Sequence, residues 1–148
     1  MAPADTLKAT ANQFVEAANS LDMDRMIAVR SPDCVAYILP KSLAREPMSN
    51  EKFRQTYTGM VSNFRHLAYQ VQSTVVDTTL NTVVMHIIAD GETIAGPWLN
   101  EYMYTLQMTE DGTQVRGIHE FIDTAKSKEN RERLLAKVAE VKQADASA

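Results

Sequence analysis

Hydrophobic positions recur at helical spacing in the first part of the chain and alternate with polar ones from Leu67 onward, so two kinds of element are written one after the other. Leu7, Ala11, Phe14, Val15, Ala18 and Leu21 fall on one stripe, which predicts an amphipathic helix over Thr6 to Leu21. A short second helix follows. Asp22 caps it, Met23, Met26 and Ile27 form its apolar side, and Ser31-Pro32-Asp33 stops it, because the residue before a proline is biased away from the helical region. Cys34 to Leu39 is short, apolar and bounded by Pro32 and Pro40, and reads as a strand. After a loop from Lys41 to Pro47, Ser49 caps a third helix and Met48 staples onto Phe53; Phe53, Tyr57, Met60, Val61 and Phe64 make its stripe.

With the change of period, Leu67, Tyr69 and Val71 alternate with Ala68, Gln70 and Gln72, and further strands are expected at Thr82 to Ala89, Trp98 to Met108 and Gln114 to Ile122. Their connections suit antiparallel pairing. Asp90 to Pro97 is expected as one loop, and Glu110-Asp111-Gly112-Thr113 as a tight hairpin with Gly112 where φ > 0 is needed. Asp123 or Thr124 caps a charged last helix with Leu134, Leu135, Val138 and Val141 facing inward, and residues 144–148 are expected to fray. Helices segregated ahead of an antiparallel sheet define an α+β fold of one domain over residues 1–148; a strongly bent sheet closed by those helices is a cone with a pocket.

Composition narrows the function classes. Fifteen Lys and Arg against nineteen Asp and Glu leave a net charge of −4 with the basic residues scattered, which is no nucleic-acid footprint. One cysteine, Cys34, excludes an intramolecular disulfide framework; the N-terminal residues lack the basic and apolar regions of a signal peptide, and no apolar run approaches a membrane span. A cytoplasmic protein is expected. The three histidines follow no metal-ligand spacing, and phosphate loops, dinucleotide fingerprints and nucleophile elbows are missing, so neither metal nor cofactor is assigned.

The chemistry-bearing stretch is Gly117 to Asp123, a strand with ionisable groups on both faces. Glu120 shares a face with Ile118 and Ile122, which points it inward as a candidate acid or base; a rim carboxylate in a salt bridge is the alternative. His119 shares the other face with Phe121 and Asp123. On the preceding strand Trp98, Asn100, Tyr102 and Tyr104 share one parity, a flat, donor-rich wall suited to a polycyclic, oxygenated ligand or, alternatively, an aromatic core. His86, in the apolar run Val83 to Ile88, is either a proton donor to substrate or a core histidine, and Tyr37 joins the substrate-binding candidates. Asp33 is a turn residue or a base at the cavity mouth, and Cys34 a small buried hydrophobe.

Met26-Ile27-Ala28-Val29-Arg30-Ser31-Pro32-Asp33-Cys34, Ile38-Leu39-Pro40-Lys41-Ser42, Pro47-Met48-Ser49-Asn50, Gly96-Pro97-Trp98-Leu99-Asn100-Glu101-Tyr102 and Glu120-Phe121-Ile122-Asp123 resemble the fungal SnoaL-like branch of the NTF2-like superfamily. That resemblance, over Leu7 to Asp123, implies the cone and a small cofactor-free isomerase or cyclase of secondary metabolism, of the meroterpenoid ring-rearranging or indole-alkaloid semipinacolase kind. It also implies an acid-base pair at Arg30 and Glu120. Arg30 cannot lose its proton, so it is expected to stabilise an oxyanion, with Tyr102 assisting, and to hold Glu120 ionised; a homodimer through the outer face of the sheet is expected as well. A dehydratase or hydrolase relying on His86 or Asp33, and a non-catalytic binding module, are the rival expectations.

Overall fold

The computed structural model describes residues 1–148. Its elements are α1 (Ala4–Ser20), α2 (Met23–Ala28), β1 (Arg30–Leu39), a short 3₁₀ turn (Lys41–Leu43), α3 (Asn50–Val61), β2 (Phe64–Asp77), β3 (Thr82–Thr93), β4 (Gly96–Met108), β5 (Val115–Ile122) and α4 (Thr124–Ser147). The strands form one sheet in the order β1-β5-β4-β3-β2. The four later strands pair antiparallel, as the alternation predicts, while β1 lies parallel to β5 at the edge.

Alternation decides which side of the sheet is the interior. Val83, Met85, Ile87 and Ala89 of β3 and Tyr102, Tyr104, Leu106 and Met108 of β4 are buried, and their odd-even neighbours are not. Against this face lies the stripe Leu7, Ala11, Phe14 and Val15 of α1, joined in one core with Cys34, Ala36, Met48, Val115 and Ile118. Each large aliphatic chain buried here contributes about 1.5–3 kcal/mol relative to exposure. Asn19 Oδ1 near the end of α1 accepts from the Tyr69 amide at 2.7 Å, which ties the helix to β2. α1 ends at Ser20, one residue earlier than its stripe suggests, with Leu21 as a left-handed cap at φ 55°.

Several boundaries differ from the sequence reading, each for a physical reason. The strand expected at Cys34 begins at Arg30, since an edge strand with an irregular register between Arg30 and Val35 tolerates Pro32 inside it. Phe64 belongs to β2 instead of the α3 stripe. Residues 90–97 form no long loop: β3 runs to Thr93 and β4 starts at Gly96, whose φ of 98° turns the chain across Ile94 and Ala95. Gly112 has the expected positive φ, 76°, and a Cβ there would sit 2.6 Å from that of Ala2. In α4 only Leu134 of the expected stripe is buried, Leu135 and Val141 are exposed, and the helix continues to Ser147 where fraying was expected. Asp22, Ser49 and Asp123 cap α2, α3 and α4 through their side chains as predicted. No helix is long and apolar enough to cross a membrane.

Candidate active site

Between the concave face of the sheet and α1–α3 lies a cavity of about 130 Å³. Of its 21 lining residues 19 are hydrophobic, and the other two are Arg30 and Glu120. Trp98, Tyr102, Tyr104 and Ile118 form the sheet wall; Phe14, Met26, Phe53, Tyr57, Met60 and Leu67 are among those that close it. Of the candidate site residues, Glu120, Arg30, Tyr102, Trp98 and Tyr104 therefore line one cavity. Strand parity is as read: His119 points outward and Glu120 inward.

Arg30 opens β1, directly after α2 gives way at Val29. Its guanidinium carbon lies 3.7 Å over the centre of the Phe53 ring, and Nε and Nη1 are buried without a hydrogen-bond partner. The residue is only 6% exposed, so its charge is out of water and burial lowers its proton affinity. Glu120 faces Tyr104 across the β4–β5 ladder, and Tyr104 OH donates to Glu120 Oε1 at 2.8 Å. Behind it Tyr69 OH is 3.1 Å from Tyr104 OH. Burial raises the Glu120 carboxyl above the ordinary glutamate value; the Tyr104 hydrogen bond and the charges of Arg30 and Arg45 pull it back only in part. Arg30 and Glu120 form no salt bridge, and the charge of Arg30 favours the ionised carboxyl while burial, the larger effect, opposes it.

The tyrosines are held protonated by the same burial. Tyr57 is pushed up to about 12, first by desolvation and then by the negative charge of Glu120, and Tyr102 and Tyr104 are raised well above the ordinary phenol. They serve as donors and are poor bases. Their rings are clustered, Tyr102 on Tyr104 at 5.4 Å and Tyr69 against Tyr102 at 5.5 Å, which fixes where each hydroxyl points.

Three expected substrate contacts lie elsewhere. Asn100 is buried at the rim, where Nδ2 donates to Ser127 Oγ at the start of α4 and Oδ1 accepts from the Glu101 amide. His86 projects from the outer face of β3, its Nε2 2.6 Å from Glu101 Oε1. Tyr37 is also outside, stacked on His119 at 4.8 Å. Asp33 is exposed and bonded to Ser31, so neither His86 nor Asp33 can reach the cavity from its position. Tyr57 and Tyr69 also line the cavity, though the sequence reading left them in a helix stripe and a strand. The signal for both was present: Tyr57 shares a helix face with Phe53, and Tyr69 shares its inward parity with Leu67. No group of three His, Cys, Asp or Glu side chains is arranged to hold a metal ion.

An α+β cone with one cation and one carboxyl in an apolar cavity defines a small acid-base enzyme class. Comparison with known proteins gives its lineage. Over 136 residues the chain is 33% identical to the austinoid biosynthesis cluster protein F of Aspergillus calidoustus, covering 90% of this chain and 78% of that protein. It matches the crystal structure of the BvnE pinacolase from Penicillium brevicompactum with a TM-score of 0.85 and 28% identity over 89% of this chain and 92% of that one. A SnoaL-like protein from Shewanella denitrificans shares the fold at 10% identity and a TM-score of 0.70, covering 85% and 96% of the two chains. No family model matches the sequence. The chain belongs to the family of the fungal austinoid biosynthesis cluster proteins, has the fold of the SnoaL-like proteins, and is an enzyme of the isomerase and cyclase kind.

Proposed function

We propose that this enzyme drives the skeletal rearrangement of a polycyclic secondary metabolite by acid-base chemistry alone, without a cofactor. The observation that carries this reading is the pairing of Arg30 and Glu120 as the sole charged groups of an otherwise apolar cavity. Burial favours the protonated Glu120, so it acts first as an acid, giving its proton to a substrate oxygen, and then recovers one as a base. Arg30 cannot give up its proton and stabilises negative charge developing on a substrate oxygen, with Tyr102 as a second donor. The unpartnered Nε and Nη1 support this role, since a substrate oxygen meets a need the protein leaves unmet. Aromatic walls then select one reactive conformer.

The relative from an austinoid cluster supports a meroterpenoid substrate, and the pinacolase neighbour supports a semipinacol-type or ring-rebuilding shift. We take the working unit to be a cytoplasmic homodimer. Supporting it, Tyr37, Ile88, Met103 and Phe121 expose apolar surface on the outer face of one sheet. The test is expression in a heterologous fungal host together with the genes that flank this one. Wild type should yield the rearranged product and Glu120→Gln the unrearranged precursor; identical metabolites from both would overturn the function.

A further inference from the structure

Glu120 has two oxygens, and only one of them is engaged. Oε1 accepts from Tyr104 OH at 2.8 Å, whereas Oε2 takes no hydrogen bond from the protein. A phenol has one proton. Tyr104 has committed it to Glu120, so the 3.1 Å contact between the two hydroxyls is filled by Tyr69 donating to Tyr104. Tyr104 is 4% exposed, wedged edge-on against Phe14 at 5.2 Å and stacked on Tyr102, and its hydroxyl has little freedom to turn elsewhere.

We propose that Tyr104 is a positioning residue, backed by Tyr69, which reserves Oε1 of Glu120 and leaves Oε2 as the atom that exchanges a proton with substrate. This rests on Glu120 being the proton-transfer group. The Oε2–H bond breaks as an O–H bond forms on the substrate oxygen, and the carboxylate charge left behind is shared with Oε1, where Tyr104 already donates. The return proton arrives at Oε2, because a donor occupies the other oxygen. Tyr69 acts one step further back: its donation polarises the Tyr104 hydroxyl and strengthens the bond to Glu120. The other groups around the carboxyl are Arg30 on β1, Arg45 after the 3₁₀ turn, Tyr57 on α3 and Tyr102 on β4.

The experiment is a carboxyl titration by NMR of protein labelled with ¹³C-carboxyl glutamate, the Glu120 signal being the one absent from Glu120→Gln. Tyr104→Phe removes a hydrogen bond that favours the charged form, so the midpoint should move upward from wild type. Tyr69→Phe should move it less, in the same direction, and add nothing in the Tyr104→Phe background. Turnover by Tyr104→Phe should fall about 10- to 100-fold in kcat with KM little changed, the loss of one hydrogen bond to a charged group. A Glu120 midpoint unmoved in folded Tyr104→Phe overturns the role, as does a Tyr69→Phe shift that persists in full without Tyr104. The titration needs no substrate, which separates the two ideas: full turnover by Glu120→Gln would remove the proposed function, and this role with it, whatever the titration shows.

Discussion

Arg30 and Glu120 look into the same cavity without touching: Arg30 is buried and Glu120 half-buried, neither is neutralised by the other in a salt bridge, and Nε and Nη1 of Arg30 have no partner at all. Such an arrangement is poor for stability and good for binding an oxygen between opposite ends of a proton transfer.

Replacing the guanidinium should therefore stabilise the fold. Arg30→Met keeps apolar contact with Phe53 but removes two unsatisfied buried donors, each worth about 1–3 kcal/mol, against a cation-π contact worth about 0.5–2 kcal/mol. We expect a gain on the order of 1 kcal/mol in urea unfolding, together with loss of turnover. An Arg30→Met protein less stable than wild type would show that the unpartnered atoms are not strained by burial.

Glu120 couples stability to pH in a defined direction. Its carboxyl is raised in the folded state, so the native protein holds a proton there that the unfolded chain releases first. Stability from this group is complete below the unfolded value of about 4.3 and falls as pH rises through the folded one. Glu120→Gln fixes the neutral state, and should match wild type in thermal melts at pH 4 yet melt higher at pH 8. On the same argument wild-type kcat/KM should decline on the basic side, as the acid loses its proton; its turnover should fall by roughly 10²–10⁴ in Glu120→Gln.

Asn100 separates structure from chemistry. Asn100→Ala deletes the bonds to Ser127 Oγ and the Glu101 amide, and should cost about 1–2 kcal/mol of stability. Turnover well below the melting temperature should be unchanged, because the side chain does not line the cavity. A fall in kcat without loss of stability would return Asn100 to the substrate wall.

The outer face carries the assembly prediction. Met103 and Phe121 are direct neighbours across the β4–β5 ladder and both are exposed. Met103→Glu with Phe121→Glu should give a monomer in sedimentation experiments where wild type is a dimer, with the Glu120 titration preserved. A monomeric wild type would remove the dimer.

Substrate entry should involve α2 and α3. A cavity of about 130 Å³ is below the ~300–1,000 Å³ typical of small-molecule sites, and neither helix buries a residue fully. Amide exchange should be faster there than in β3 and β4, and slow on addition of substrate or product. Equal protection of helices and sheet would argue for a rigid cavity and a smaller ligand.

How legible this was in the sequence depends on what each pattern reports. The change from helical to two-residue period located the sheet, and parity placed Trp98, Tyr102, Tyr104 and Glu120 on the inner face correctly. Parity names a face but not what covers it: Asn100 shares that face and is covered at the rim by the start of α4. His86 misled because Val84 and Ile88 make the outer side of β3 apolar as well, so a hydrophobic run did not mean an interior position. The parallel placement of β1 depends on contacts far apart in sequence, which local patterns do not record. The exchange of hydrogen bonds among Tyr69, Tyr104 and Glu120 has the same origin, since it joins three strands across the bend of the sheet.

The two charged groups are carried by paired strands of the hydrogen-bonded sheet, whereas much of the surface that meets a ligand's shape comes from helices without a fully buried residue. Substitutions at Met26, Phe53, Met60 or Val61 would redraw the mould with little strain on the ladder that holds Glu120. A lineage built this way can diversify its substrates by drift in two short helices while the reaction it performs is inherited intact.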